Sequence, residues 1–131
     1  MTILGHGIDL VEVARIAAML GEHGPRFLGR CFTNSEQAYC DENGRRRVER
    51  FAVRFAAKDA ALKALGTGWR DGIAWTDIEV VREPSGRPGL RLHGRAAAIA
   101  AEQGVVGWQI SLTHTDAHAM ASVIALGRPA A

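Results

Sequence analysis

Long hydrophobic runs are missing: no stretch of 18 apolar residues occurs anywhere in the 131-residue chain, so no segment is expected to span a membrane. The opening MTILGHGIDLVEV has no basic stretch and carries Asp9 and Glu12 early, so it does not read as an export signal. Cysteine is scarce. Cys31 and Cys40 match no zinc spacing and exclude a disulfide scaffold, which leaves reduced thiols in a cytoplasm as the expectation. Aromatic residues make up only 6% and are not interleaved with the arginines, which argues against a nucleic-acid binder that stacks bases. A net charge of +2 adds little to that case. Internal repeats, linkers and low-complexity segments are also lacking. What remains is 47% apolar and 23% charged residues, a composition for one folded domain over residues 1–131. Such a chain buries roughly two-thirds of its unfolded surface.

Lysine is the other rarity. Fourteen of the sixteen basic residues are Arg, and the two lysines, Lys58 and Lys63, lie five positions apart. Lysine is a compact point charge on a flexible stem, suited to a single phosphate oxygen or a proton transfer. Their common segment is therefore where chemistry is sought first.

Residues 2–11 (TILGHGIDLV) read as a strand whose Gly5 and Gly7 mark a bulge or a close backbone approach. Glu12 to Leu20 has helical spacing and closes near Gly21 and Gly24. Thr33-Asn34-Ser35-Glu36 fits a capping box opening a short helix toward Asn43-Gly44. The longest helical pattern runs from about Arg46 to Leu65, with Gly66 as its stop. Asp77–Glu83 alternates like a strand, Pro84-Ser85-Gly86 turns, and Leu90–His93 pairs back. Arg95–Gln103 is helical, and Trp108–Thr113 and Ala117–Leu126 read as two final strands. The order β-α-α-α-β-β-α-β-β predicts a single α+β domain, a mostly antiparallel sheet packed on a long central helix.

Two acids stand where structure alone disfavours them. Asp9 lies inside an apolar strand, and Asp59 lies mid-helix in FAAKDAALKAL; a short acidic side chain is a poor choice in either setting. One reading makes Asp59 a surface pair with Lys63 four residues on, and Asp9 a solvent-facing strand residue. The sharper reading brings the two carboxylates around Mg²⁺, which fills its other positions with water and phosphate oxygens. Gly66-Thr67-Gly68 follows the helix directly and lets backbone N–H groups approach a phosphate. With Lys58 and Lys63 upstream, a pyrophosphate is the guess for what the site holds. His6, His23, His93 and His118 have no nearby partner in the chain and are expected at the surface. His114 reads as a polar residue ending an apolar strand.

These segments together resemble a known family. Gly7-Ile8-Asp9-Leu10-Val11 with Glu12 and Arg15-Ile16, then Arg54-Phe55-Ala56-Ala57-Lys58-Asp59-Ala60 through Lys63-Ala64-Leu65-Gly66-Thr67-Gly68, then Trp75-Thr76-Asp77-Ile78-Glu79-Val80 and Ser111-Leu112-Thr113-His114, are similar to the holo-acyl-carrier-protein synthases. These form the small bacterial branch of the 4′-phosphopantetheinyl transferases. The resemblance runs from residue 5 to about 126 and is carried most specifically by the central motif.

The resemblance implies transfer of phosphopantetheine from coenzyme A to a serine of an apo acyl carrier protein, releasing adenosine 3′,5′-bisphosphate. It maps the Mg²⁺ ligands onto Asp9 and Asp59 and phosphate contact onto Lys63, with Asp59 a candidate base. Arg54 and His114 fall near the nucleotide, with Gly66, Thr67 and Gly68 also on the coenzyme A side. It matches Arg15, Arg26 and Arg30 to docking of the acidic carrier, and Met19 and Phe27 read as apolar contacts among those arginines. It further implies a cytoplasmic homotrimer serving lipid metabolism, with sites shared between subunits and Arg45-Arg46-Arg47 reaching a neighbour's nucleotide. One departure stands out: the family pattern has Lys-Glu-Ala where this chain has Lys58-Asp59-Ala60. That shorter acid keeps open the alternative of a catalytically silent coenzyme A or nucleotide module.

Overall fold

Alternation from Gly7 onward sends Gly7, Asp9 and Val11 to one side and Ile8 and Leu10 to the other, and in the computed structural model Thr2–Glu12 is strand β1. The model describes residues 1–70 and 72–129. After β1 come α1 (Val13–Cys31), α2 (Asn34–Asp41), α3 (Arg47–Leu65), β2 (Ile78–Arg82), β3 (Pro88–Leu92), α4 (Gly94–Glu102), β4 (Val105–His114) and β5 (His118–Gly127). Short 3-10 turns at Gly44–Arg46 and Trp75–Asp77 precede α3 and β2. The expected element order is the observed one.

Every strand pairing is antiparallel, in two sheets rather than one: β1-β5-β4 and the β2-β3 hairpin. The core lies between α3 and the three-stranded sheet. Ala56, Ala57, Ala60, Ala61 and Ala64 of α3 meet Ala119, Ala121, Val123 and Ala125 of β5, all buried. Small residues on both surfaces let helix and sheet approach closely. The approach is tightest at β1, where a Cβ built on Gly5 would fall 1.9 Å from the Ala64 carbonyl oxygen and one on Gly7 1.8 Å from that of Ala60. The register of β1 on β5 also shifts between Ile3 and Gly5, so the glycines mark both a bulge and a close approach.

One boundary differs. The first helix does not close at Gly21 or Gly24; it bends at Gly24 (φ 23°) and resumes through Pro25 to Cys31. Proline tolerates the first turn of a helix, where its missing N–H has no partner to lose. The resumed segment buries Phe27 and Cys31 in the core. Thr33 and Glu36 form the expected reciprocal cap of α2. Gly66 (φ 75°) ends α3 in the left-handed conformation, with the Thr67 N–H returning to the Leu62 carbonyl.

Candidate active site

The site grows from the contact between β1 and α3. Side-chain alternation turns Asp9 toward the helix, and Asp59 and Lys63 follow each other one turn apart on α3. The Lys63 ammonium donates to the Ile8 carbonyl at 2.9 Å and to Asp9 Oδ1 at 3.2 Å, and lies 3.5 Å from Asp59 Oδ2. Two carboxylates from different elements thus converge on one cation. Burial raises the Asp9 pKa, with Asp59 adding to the rise and Lys63 opposing it. Slight burial works against the charge on Lys63, but Asp9 and Asp59 outweigh it and hold its pKa up. Asp59 accepts a further hydrogen bond, 3.0 Å, from the indole of Trp69.

The donor set is consistent with a hard divalent cation. The Lys63 ammonium already occupies the position between the two carboxylates that such an ion would take. Among the described residues no group of three or more His, Cys, Asp or Glu side chains gathers. That leaves no nitrogen- or sulfur-rich centre of the kind zinc prefers, and two carboxylates suit an ion that keeps waters and phosphate oxygens.

Lys58 has a different place from the one expected. It points away from this cluster, is completely buried, and donates to Glu36 Oε1 at 2.8 Å, the Trp75 carbonyl at 3.2 Å and the Ile78 carbonyl. Burial lowers its pKa, and Glu36 counters that pull. Glu36 in turn accepts from the Thr33 and Val80 backbone N–H groups. Lys58 therefore ties α3 to α2 and β2 and is not available to a phosphate. The Gly66-Thr67-Gly68 exit also differs from the expected cradle, because the Gly66 and Thr67 N–H groups close the end of α3. The Thr67 hydroxyl is buried without a partner.

Arg54 and His114 come together as expected, in a groove of about 490 Å³ beside the N-terminal half of α3. Arg46, Arg50, Arg82 and Tyr39 line it too. Arg50, Arg54 and Arg82 surround the Tyr39 ring, their guanidinium carbons 4.2, 4.3 and 5.1 Å from its centre. Arg54 is nearly buried, yet its Nε has no hydrogen-bond partner. Arginine is the residue type for phosphate recognition, and this groove concentrates four of them. Arg50, Arg82 and Tyr39 were missed in the sequence, although the spacing of Arg46, Arg50 and Arg54 at four-residue steps already put them on one helix face. Of the neighbouring arginines, Arg47 pairs with Asp41 at 2.7 Å, and Arg45 lies exposed.

Arg15, Met19, Arg26, Phe27 and Arg30 all line a second groove, of about 420 Å³, whose floor includes Phe55 and Trp75. Phe27 is not an exposed apolar contact: it is 4% accessible and packs edge-on against Phe32. Met19, Phe55 and Trp75 are the half-buried apolar surface there. The four histidines expected at the surface are exposed, but three have partners: His6 bonds Ser122 at 2.9 Å, His93 bonds Glu79 at 3.1 Å, and His23 lies 3.8 Å from the neighbouring Glu22 carboxylate.

Comparison with known proteins agrees with this geometry. The family model of the 4′-phosphopantetheinyl transferase superfamily matches residues 5–122. A holo-[acyl-carrier-protein] synthase of Koribacter versatilis is 53% identical over 122 residues, covering 93% of this chain and 97% of that protein. The holo-[acyl-carrier-protein] synthase structure from Neisseria meningitidis superposes with a TM-score of 0.85 at 32% identity, covering 95% and 99% of the two chains. The Bacillus anthracis enzyme in complex with CoA (3′,5′-ADP) superposes with a TM-score of 0.80 at 32% identity, covering 98% of this chain and all of that one. A long central helix carrying the Lys58–Lys63 motif, a strand acid meeting it, and a match from residue 5 to 122 lead to one conclusion: the chain belongs to the 4′-phosphopantetheinyl transferase superfamily.

Proposed function

We propose that the chain transfers the 4′-phosphopantetheine arm of coenzyme A to a serine hydroxyl of an apo acyl carrier protein, releasing adenosine 3′,5′-bisphosphate, with Mg²⁺ held by Asp9 and Asp59. The observation that carries the reading is the convergence of Asp9 and Asp59 on Lys63 in a chain of this family. A bound Mg²⁺ supplies charge neutralisation on the pyrophosphate, which is most of what phosphoryl-type transfer asks of a protein. The remaining work falls to the chain's own groups. Lys63, half exposed on its flexible stem, turns from the carboxylates to a phosphate oxygen. The serine oxygen forms the new bond to phosphorus, the bond to the departing nucleotide oxygen breaks, and the serine proton passes to Asp59, directly or through a water.

Arg54 and His114, with Arg46 and Arg50, hold the nucleotide phosphates at the other end of α3. The Gly66-Thr67-Gly68 exit borders the pyrophosphate end by its lack of bulk rather than by its first two amides. Arg15, Arg26 and Arg30 receive the acidic carrier, with Met19, Phe55 and Trp75 as apolar floor. The outer face of β1 and β5 leaves Ile8, Leu10 and Met120 exposed, and covering it in a homotrimer explains apolar side chains on an otherwise solvent-facing sheet surface. The enzyme acts in the cytoplasm, consistent with two free buried thiols, and serves fatty-acid biosynthesis through its carrier.

The test is direct. The protein, coenzyme A, Mg²⁺ and apo carrier are incubated and the carrier is weighed. A carrier heavier by one phosphopantetheine, formed only with divalent cation present, is expected. An unchanged carrier alongside coenzyme A that still binds would leave a silent binding module.

A further inference from the structure

Trp69 lies just beyond the end of α3 and, among the described residues, is the one side chain outside that helix and β1 that touches the acidic pair in a hydrogen bond. Its indole N–H donates to Asp59 Oδ1 at 3.0 Å, while the other oxygen, Oδ2, faces Lys63 at 3.5 Å. The two oxygens of Asp59 are thereby assigned different tasks. The ring is itself held: it stacks on Trp75 with centroids 3.8 Å apart and planes 25° apart, and Trp75 stacks on Phe55 at 4.5 Å and 24°. Phe55 is four residues before Asp59 on the same helix, so the stack leaves α3 and returns to it one turn away.

We propose that Trp69 is a positioning residue for the cation site: it pins Asp59 Oδ1 and so presents Oδ2 toward Asp9 as a single-oxygen ligand. The inference rests on the reading of Asp9 and Asp59 as the Mg²⁺ pair and goes beyond it by assigning what orients one of the two. An indole N–H is a donor only, so it favours an ionised carboxylate and cannot compete for the cation. Mg²⁺ demands near-ideal geometry, and a short carboxylate free to rotate meets that demand in only part of its rotamers. Anchoring by three stacked rings removes that freedom before the ion arrives.

The experiment titrates the full chain, saturated with coenzyme A and without carrier, with Mg²⁺, reading intrinsic tryptophan fluorescence and calorimetric heat. Asp59→Asn, Trp69→Phe and Trp75→Phe are compared with the parent, with thermal midpoints measured alongside. Trp69→Phe keeps an aromatic ring in the stack but removes the N–H together with the five-membered half of the indole, and is expected to raise the Mg²⁺ dissociation constant about five-fold. Trp75→Phe keeps the N–H and should shift it less than two-fold. Asp59→Asn should lose the binding. If Asp59→Asn loses binding but Trp69→Phe matches the parent, or Trp75→Phe weakens it equally, the positioning role is overturned and the metal reading survives. Unchanged binding in Asp59→Asn overturns both.

Discussion

Lys63 stands between two carboxylates while keeping 51% of its side chain open to solvent, so its charge is both fixed in place and free to move onto a ligand. Lys63→Ala should cut turnover at least ten-fold, about 1.4 kcal/mol of transition-state stabilisation, with the thermal midpoint little changed. Lys63→Arg should restore only part, because a planar fork replaces a point charge; steady-state kinetics on both variants decides. Glu79 is a second residue whose surroundings make a measurable statement. Burial alone would raise its pKa, but hydrogen bonds from Ser35, Thr33 and His93 outweigh burial and bring the carboxyl down to about 2 from 4.5. Above pH 4.5 the carboxylate is ionised folded or unfolded, and its stabilisation is present in full. As the pH falls from there toward 2, the unfolded chain takes up the proton first and that contribution, about 3 kcal/mol, is lost. Denaturant midpoints followed from pH 6 to pH 2 should therefore fall more steeply for the parent than for Glu79→Gln, which starts lower and responds less to acid.

At the scale of elements, the site depends on how near β1 lies to α3. Gly7→Ala forces a methyl group to within 1.8 Å of the Ala60 carbonyl oxygen, and backbone on both sides leaves nothing flexible to yield. The strand must move off the helix, and a cost of about 3 kcal/mol or more is expected, the upper range for overpacking. The same shift draws Asp9 away from Asp59, so the variant should need more Mg²⁺ as well as melt earlier. Gly21→Ala is the control: nothing lies within 4 Å, the position is helical, and alanine there should leave the melting point unchanged or raise it. The elements that were readable in the sequence are those coded locally. The Thr33–Glu36 cap, the Gly66 stop and the alternation of β1 each announce themselves within a few residues. What was not readable depends on distant partners. Gly24-Pro25 looks like a helix end until the burial of Phe27 and Cys31 on the resumed turn is known. Lys58 looked like a second phosphate ligand because an alanine-rich helix hides which face is covered, and its partner Glu36 lies 22 residues away in another helix. The separation of β2-β3 from the larger sheet is likewise a matter of tertiary pairing.

For the whole molecule, a net charge of +2 conceals an uneven distribution, with arginines gathered in two grooves. Arg46, Arg50, Arg54 and Arg82 line the groove at Tyr39 on one side, while Arg15, Arg26 and Arg30 ring the apolar floor of Phe55 and Trp75 on the other. The first groove suits a small polyanion: Arg54 is nearly buried and its field little screened. Arginines 15, 26 and 30 of the second are exposed, and suit an acidic protein surface met at longer range. The two therefore respond differently to charge reversal and salt. Arg15→Glu or Arg30→Glu should raise the KM for the acidic carrier while leaving that for coenzyme A nearly unchanged. Added salt should reproduce the effect in the parent, since exposed charges are screened beyond about 8–10 Å near physiological ionic strength, and the reversed variants should show a flatter salt dependence. Arg54→Ala should do the opposite, raising the KM for coenzyme A with little effect on the carrier. Kinetics with each substrate varied in turn, at low and high salt, would separate the grooves. Equal weakening toward both substrates in Arg15→Glu would remove the docking role from that groove and leave its arginines as solvated surface.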